Sequence, residues 1–188
     1  LGVRPLPLRT QDVDFLLPWP YRSDKNIHLP SVLADMGFHS VTTSNGSMYF
    51  AHPELRIEFL VPERGKGGLD SRLVKPLGVR AVPLRFLDML LEDPMELSES
   101  GVEVRVPKPL NYCLHKLIIA QRRKNAGKRE KDIQHAVWVL GILHPGDFAR
   151  ALDKLPIKWR RLAEKSLAFA AEKFPLEGRL LTRFIKEA

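Results

Sequence analysis

An α+β fold is predicted for this chain of 188 residues: a small mixed β-sheet packed with helices, followed by a C-terminal helical region. Three observations predict it. Short runs of polar–apolar alternation recur between residues 9 and 106, which is the two-residue period of strands with one buried face. From Pro109 onward the apolar residues recur at three- and four-residue intervals, the period of helices buried along one stripe. Between these regions stand Pro107 and Pro109, which end extended chain and suit a first helical turn.

The first alternating run, residues 9–17, sets Asp12 and Asp14 on one face and Val13 and Phe15 on the other. Pro18-Trp19-Pro20 ends it, and residues 21–26 read as a polar loop. A short helix is expected over 30–36, with Val32, Leu33 and Met36 inward and Gly37 as its stop. Residues 39–62 read as a meander, with Asn45-Gly46 as the hairpin turn between Val41-Thr42-Thr43 and Met48-Tyr49-Phe50. Its last strand, 55–62, turns Ile57, Phe59 and Val61 to one face and Arg56, Glu58 and Leu60 to the other. Residues 63–68 hold Gly65, Gly67 and Gly68 around Lys66 but lack the spacing of a P-loop, and read as a flexible loop. A strand at 79–82 is expected to lead into a helix over 84–91, and the alternating segment 102–106 is expected to join the sheet.

In the second half, the helix beginning near Pro109 carries an inward stripe of Leu110, Cys113, Leu114, Leu117 and Ile118. Lys116 lies beside that stripe, and Arg123 shares its side. Residues 122–131 form the densest basic run, with Gly127 expected to break the helix. The helix after it buries Ile133, Ala136, Val137 and Leu140, and Asp132 is placed to pair with Lys128 or to reach Lys116 across the helix pair.

Composition narrows the function classes. The hydrophobic fraction of 44% supplies a core, and no apolar run approaches the roughly 20 residues needed to span a bilayer. A single cysteine, Cys113, excludes an internal disulfide and fits a reducing cytoplasm, where the protein is expected to reside. The histidines form no His-x-x-x-His pair and no cluster with cysteine, so a zinc site is not expected. Trp138 and Trp159 read as packing residues. The net charge of +8 is uneven: residues 101–188 carry 19 Lys and Arg against 9 Asp and Glu, and the first hundred carry 11 against 13. A basic half beside an acidic-to-neutral one suits a metal site next to a polyanion such as RNA, although a solvated basic helical domain has the same composition.

Asp12 and Asp14 are the sharpest chemical signal. Two carboxylates on one strand face repel unless a cation lies between them, and such a pair beside a buried face is what Mg²⁺-dependent phosphoryl or nucleotidyl transfer requires. Glu58 is an acid in mid-strand, where acids are disfavoured. It has two readings: a third ligand on the face of Asp12 and Asp14, or an edge-strand acid paired with Arg56.

The order R-T-x-D-V-D-F, a hairpin, and a strand bearing a third acid resembles the nucleotidyltransferase superfamily that includes DNA polymerase beta and the aminoglycoside nucleotidyltransferases. Pro109 to Arg122, with Lys116-Leu117-Ile118-Ile119-Ala120 at its centre, and then Lys131-Asp132-Ile133 resemble the uncharacterised and abortive-infection-type bacterial branch. The resemblance spans roughly residues 4–140. It implies an N-terminally incomplete nucleotidyltransferase-like core over 1–106 that takes an NTP as substrate, and a helical, basic region over 107–188. It implies further that Asp12, Asp14 and Glu58 hold Mg²⁺ or Mn²⁺ and carry the catalysis, and that Lys116, Arg122 and Lys128 bind substrate. One departure stands out. The superfamily places Gly-Ser or Gly-Gly before the acidic strand to hold the triphosphate, whereas only Gly2 precedes Asp12 here. Leu1 is not an initiator methionine, so the natural start is expected upstream of it, and a Gly-Ser or Gly-Gly there would favour the enzyme; the Gly46-Ser47 pair belongs to the hairpin. Two rivals remain open: a catalytically degenerate member that binds or regulates, and a basic RNA-binding module.

Overall fold

Residues 11–44, 46–64 and 70–187 are described by the computed structural model of the chain. The fold is α+β, and its residues group into two compact units, 1–88 and 89–188.

The first unit is built around a central strand. Its elements are β1 (Asp12–Leu16), α1 (Leu29–Asp35), β2 (His39–Thr42), β3 (Met48–Ala51), β4 (Arg56–Pro62), β5 (Arg72–Val74) and β6 (Val79–Leu84). The sheet order is β2-β3-β4-β6-β5, and β1 pairs with β4. β4 is parallel to β1 and β6 and antiparallel to β3, so the sheet is mixed. The alternation of residues 55–62 explains its centrality. Ile57, Phe59 and Val61 enter a core with Leu33, Phe38, Phe50, Val74, Leu77, Val79 and Ala81. Phe50 meets Phe59 edge-on at 6.0 Å, the arrangement favoured by the ring quadrupole. Phe15 stacks on Phe59 at 5.6 Å yet stays 47% exposed, so the apolar face of β1 is only partly covered. Gly78 holds φ +66° after the turn at Lys75–Leu77, and a Cβ there would meet His28 at 2.8 Å, so both backbone and space select glycine.

Of the residues expected inward on the first helix only Leu33 is buried; Val32 and Met36 are exposed. The helix expected over 84–91 is confined to α2 (Asp88–Leu91). Leu84 instead ends β6 opposite Pro62, and Phe86 adopts φ +67°, a left-handed conformation that no α-helix continues through. The segment 102–106 does not join the sheet. It forms β8 (Val102–Val106), which pairs with β7 (Met95–Glu99) as a separate two-stranded sheet. Leu97, Val102 and Val104 remain 46–62% exposed, so alternation there does not report a buried face.

After that hairpin the second unit is helical: α3 (Pro109–Ala120), α4 (Ala126–Leu140), α5 (Pro145–Asp153), α6 (Ile157–Lys173) and α7 (Gly178–Glu187). Cys113, Leu114, Leu117 and Ile118 of α3 and Ile133, Ala136, Val137 and Leu140 of α4 are all buried, as their periodicity predicts. Burial pushes the Cys113 thiol well up from its usual range, which makes it an inert core residue. Ser166 of α6, fully buried, donates to the Leu117 carbonyl at 2.6 Å and accepts from Gln121 at 3.0 Å, which ties α6 to α3. Gly127 does not break a helix. The break falls at residues 121–125, where Asn125 caps α4 by accepting from the Lys128 backbone N–H at 2.9 Å, and Gly127 lies within the first turn.

Candidate active site

The pairing of β1 with β4 decides which side chains can meet. Its parallel register matches Asp12 with Arg56, Val13 with Ile57, Asp14 with Glu58 and Phe15 with Phe59. Matched residues on neighbouring strands project to the same face, and alternate residues of each strand share it. Asp12, Asp14, Arg56 and Glu58 therefore lie together on the face opposite Ile57, Phe59 and Val61. On the other side of β4, Tyr49 is matched with Glu58 and joins that face.

Within this group Arg56 makes the decisive contacts. Its guanidinium is ion-paired with the Glu58 carboxylate and lies 3.9 Å from the centre of the Tyr49 ring. The Arg56 side chain is 42% exposed and that of Glu58 27%, so the pair is half sheltered from water. Asp12 and Asp14 are exposed. The donor chemistry fits a hard divalent cation, since three carboxylates project from one face. As arranged, however, no group of three or more His, Cys, Asp or Glu among the described residues is gathered to hold a metal, and Glu58 is engaged by Arg56.

The helical unit holds a second charged cluster. Asp132, buried on α4, accepts from Lys116 Nζ at 2.8 Å and from Arg123 Nε at 2.7 Å. Burial alone raises the Asp132 carboxyl, but the two cations outweigh it and hold it below the usual carboxylate range. Lys116 lies 5.4 Å from the centre of the Tyr112 ring. The Tyr112 hydroxyl approaches Nδ1 of His135 at 3.4 Å, and His135 stacks on Trp138. Burial, reinforced by Lys116 and Lys131, lowers the His135 imidazole. Of the remaining substrate-binding candidates, Arg122 is exposed just past α3, and Lys128 is exposed in the first turn of α4. The glycines of the loop at 65–68 lie outside the described residues.

Tyr49 and the Arg123–Asp132 bond lie beyond local sequence pattern. Tyr49 becomes visible only through the β3–β4 register, which no local pattern encodes. Arg123 was placed beside Lys116 by helical spacing, but its bond to Asp132 depends on the angle between α3 and α4.

The family described as Nucleotidyltransferase matches residues 1–175. The chain belongs to the nucleotidyltransferase family. It is also similar to the solved structure of an antigenic nucleotidyltransferase-like protein from Paracoccidioides brasiliensis, with 15% identity and a TM-score of 0.47 over 94% of this chain and 77% of that one. No curated protein matches this nucleotidyltransferase. Among its described residues no helix is long and apolar enough to cross a membrane.

Proposed function

We propose that this nucleotidyltransferase moves a nucleoside monophosphate from an NTP to an acceptor hydroxyl or phosphate, releasing pyrophosphate, with Mg²⁺ or Mn²⁺ held by Asp12 and Asp14 and completed by Glu58. The observation that carries the reading is the β1–β4 register, which sets all three carboxylates on one sheet face in a chain of this family. A divalent ion there would supply neutralisation of phosphate charge and in-line alignment of attacking and leaving oxygens. The chain's own groups do the rest. Asp12 and Asp14 would hold that ion. Glu58 accepts the acceptor's proton as the new P–O bond forms and the bond to pyrophosphate breaks. On the helical unit, the exposed Arg122 and Lys128 serve an anionic partner such as RNA, while Lys116 is held by Asp132.

One observation favours a second reading. Glu58 is held by Arg56, as it would be in a member that keeps the fold but binds or regulates without transfer. A screen with labelled NTPs against cellular RNA, protein and small molecules, with and without chelator, separates the two. Transfer that needs a divalent metal and disappears in Asp12→Asn and Asp14→Asn supports the enzyme. Nucleotide binding without transfer supports the second reading, and transfer that survives both substitutions overturns the assignment of the site.

A further inference from the structure

We infer that the outer edge of β8 is a self-association surface, on which a second copy of this chain adds its own β8 antiparallel across a two-fold axis at Val104. The inference goes beyond the chemistry proposed above and does not rest on it.

The hairpin β7–β8 is a sheet of two strands, and among the described residues no other strand pairs with either of its edges. Its register matches Met95 with Val106, Glu96 with Arg105, Leu97 with Val104, Ser98 with Glu103 and Glu99 with Val102. Ser100 and Gly101 between the strands take φ of 52° and 78°, and a type I′ turn requires positive φ at both. Such a turn closes on Glu99 and Val102 as a hydrogen-bonded pair, and bonded and non-bonded pairs alternate from there. Val102, Val104 and Val106 therefore spend their backbone groups inside the hairpin, whereas Glu103 and Arg105 turn theirs to the outer edge. The valines share a face with Met95 and Leu97, and Leu97, Val102 and Val104 are 46–62% exposed.

The sequence of β8, Val-Glu-Val-Arg-Val, complements itself. Antiparallel pairing centred on Val104 sets Glu103 opposite Arg105 of the second copy, and Arg105 opposite its Glu103. These are the positions whose backbone groups point outward, so each pair exchanges two backbone hydrogen bonds and matches opposite charges. Glu103 forms no ion pair among the described residues. Arg105 meets the exposed Glu96 at 3.1 Å, and its five donors leave room for a second carboxylate. On the apolar side Val104 meets Val104 and Val102 meets Val106, which widens a marginal hairpin into a sheet of four strands. The β7 edge offers no such match: centred on Leu97, it sets Glu99 against Met95 and Glu96 against Ser98, so its charges are all acidic. Exposed ion pairs fix register more than they add affinity, so the association is weak.

Sedimentation velocity of the full chain, run over a range of concentrations, is expected to shift from the mass of one chain toward that of two. Glu103→Arg and Arg105→Glu should each weaken association by about tenfold or more, because like charges then face each other. Mixing the two variants, or combining both changes in one chain, returns opposite charges to each pair and should restore association. Cysteine cross-linking with diamide reads the register directly, and the native Cys113 is buried and does not interfere. The two-fold axis sets residue 104 opposite itself, within reach of a disulfide, and keeps residue 102 away from its counterpart. Val104→Cys should therefore cross-link faster than Val102→Cys, although exposure alone, 48% against 62%, favours the reverse. The inference is overturned by a chain that stays monomeric at every concentration, by charge-reversed variants that associate like the parent, by a mixture that does not associate, or by cross-linking at residue 102 that matches or exceeds that at 104.

Discussion

Asp14 stands directly opposite Glu58 in the parallel ladder of β1 and β4, so two carboxylates face the same way across one strand spacing. Like charges in that relation disfavour pairing, and Arg56 is ion-paired with Glu58. A site of this kind gains stability from a cation that binds the native state alone. At a concentration of Mg²⁺ or Mn²⁺ about one hundred times its dissociation constant, the gain should be about 2.7 kcal/mol, read as a rise in thermal midpoint. Asp14→Asn should abolish most of that rise, each protein being compared with its own metal-free midpoint. An equal rise in both proteins would place metal binding elsewhere.

The Asp132 cluster carries a different expectation, one of stability. Its carboxylate is buried and accepts from two cations. Asp132→Asn leaves Lys116 and Arg123 without their acid and should cost about 3 kcal/mol, the lower end for a broken buried pair because Arg123 is itself 34% exposed. Replacing Lys116 and Asp132 together with apolar residues should recover part of the loss. Urea denaturation measures both. A cost below about 0.5 kcal/mol would return the cluster to an ordinary surface arrangement.

The same group sets an acid limb. The Asp132 carboxyl is held below its usual range in the folded protein, so the folded state binds this proton more weakly than the unfolded chain does. Its stabilisation is fully present above the unfolded value of about 3.9 and is lost as pH falls through the lower folded value. Stability measured between roughly pH 5 and pH 2 should therefore decline less steeply in Asp132→Asn than in the parent. Parallel curves would mean that other carboxylates set the acid limb.

How much of this was legible depends on the range of the interaction. The alternation of residues 12–16 and 56–62 specifies which face each acid takes, because a strand's period is local, and the register then brings the faces together. The stripes of α3 and α4 were legible for the same reason. Capture of Glu58 by Arg56 was one of two readings open from the residues, and the support of Tyr49 beneath it was not legible, because it depends on how β3 lies against β4. The helix expected over 84–91 failed where apolar spacing at Leu84, Leu87, Leu90 and Leu91 was shared by a strand end and a single helical turn. The hairpin β7–β8 misled in the opposite direction, since its alternation reflects pairing with itself.

The helical unit refines the expectation of a polyanionic partner. Within the basic run at 122–131, Arg123 is committed to Asp132, so it is a poor candidate for phosphate contact. Lys124, Lys128 and Lys131 are exposed and form no ion pair among the described residues. Lys128 and Lys131, three apart, share one side of the first turns of α4, and Lys124 lies just ahead of its N-cap Asn125. If RNA lies across this side, affinity falls steeply with salt, because each neutralised phosphate releases counterions. Converting the three lysines to glutamine should flatten the log–log salt slope by about two, at roughly 0.7 per single-stranded phosphate contact. Arg123→Gln should instead lower stability with little change in that slope. The carboxylates Asp12, Asp14 and Glu58 should be dispensable for this binding and required for transfer. Filter binding of labelled RNA at two ionic strengths decides the matter: a parent that fails to bind even at low salt makes this a solvated helical face, and the acceptor is then sought among small molecules or proteins.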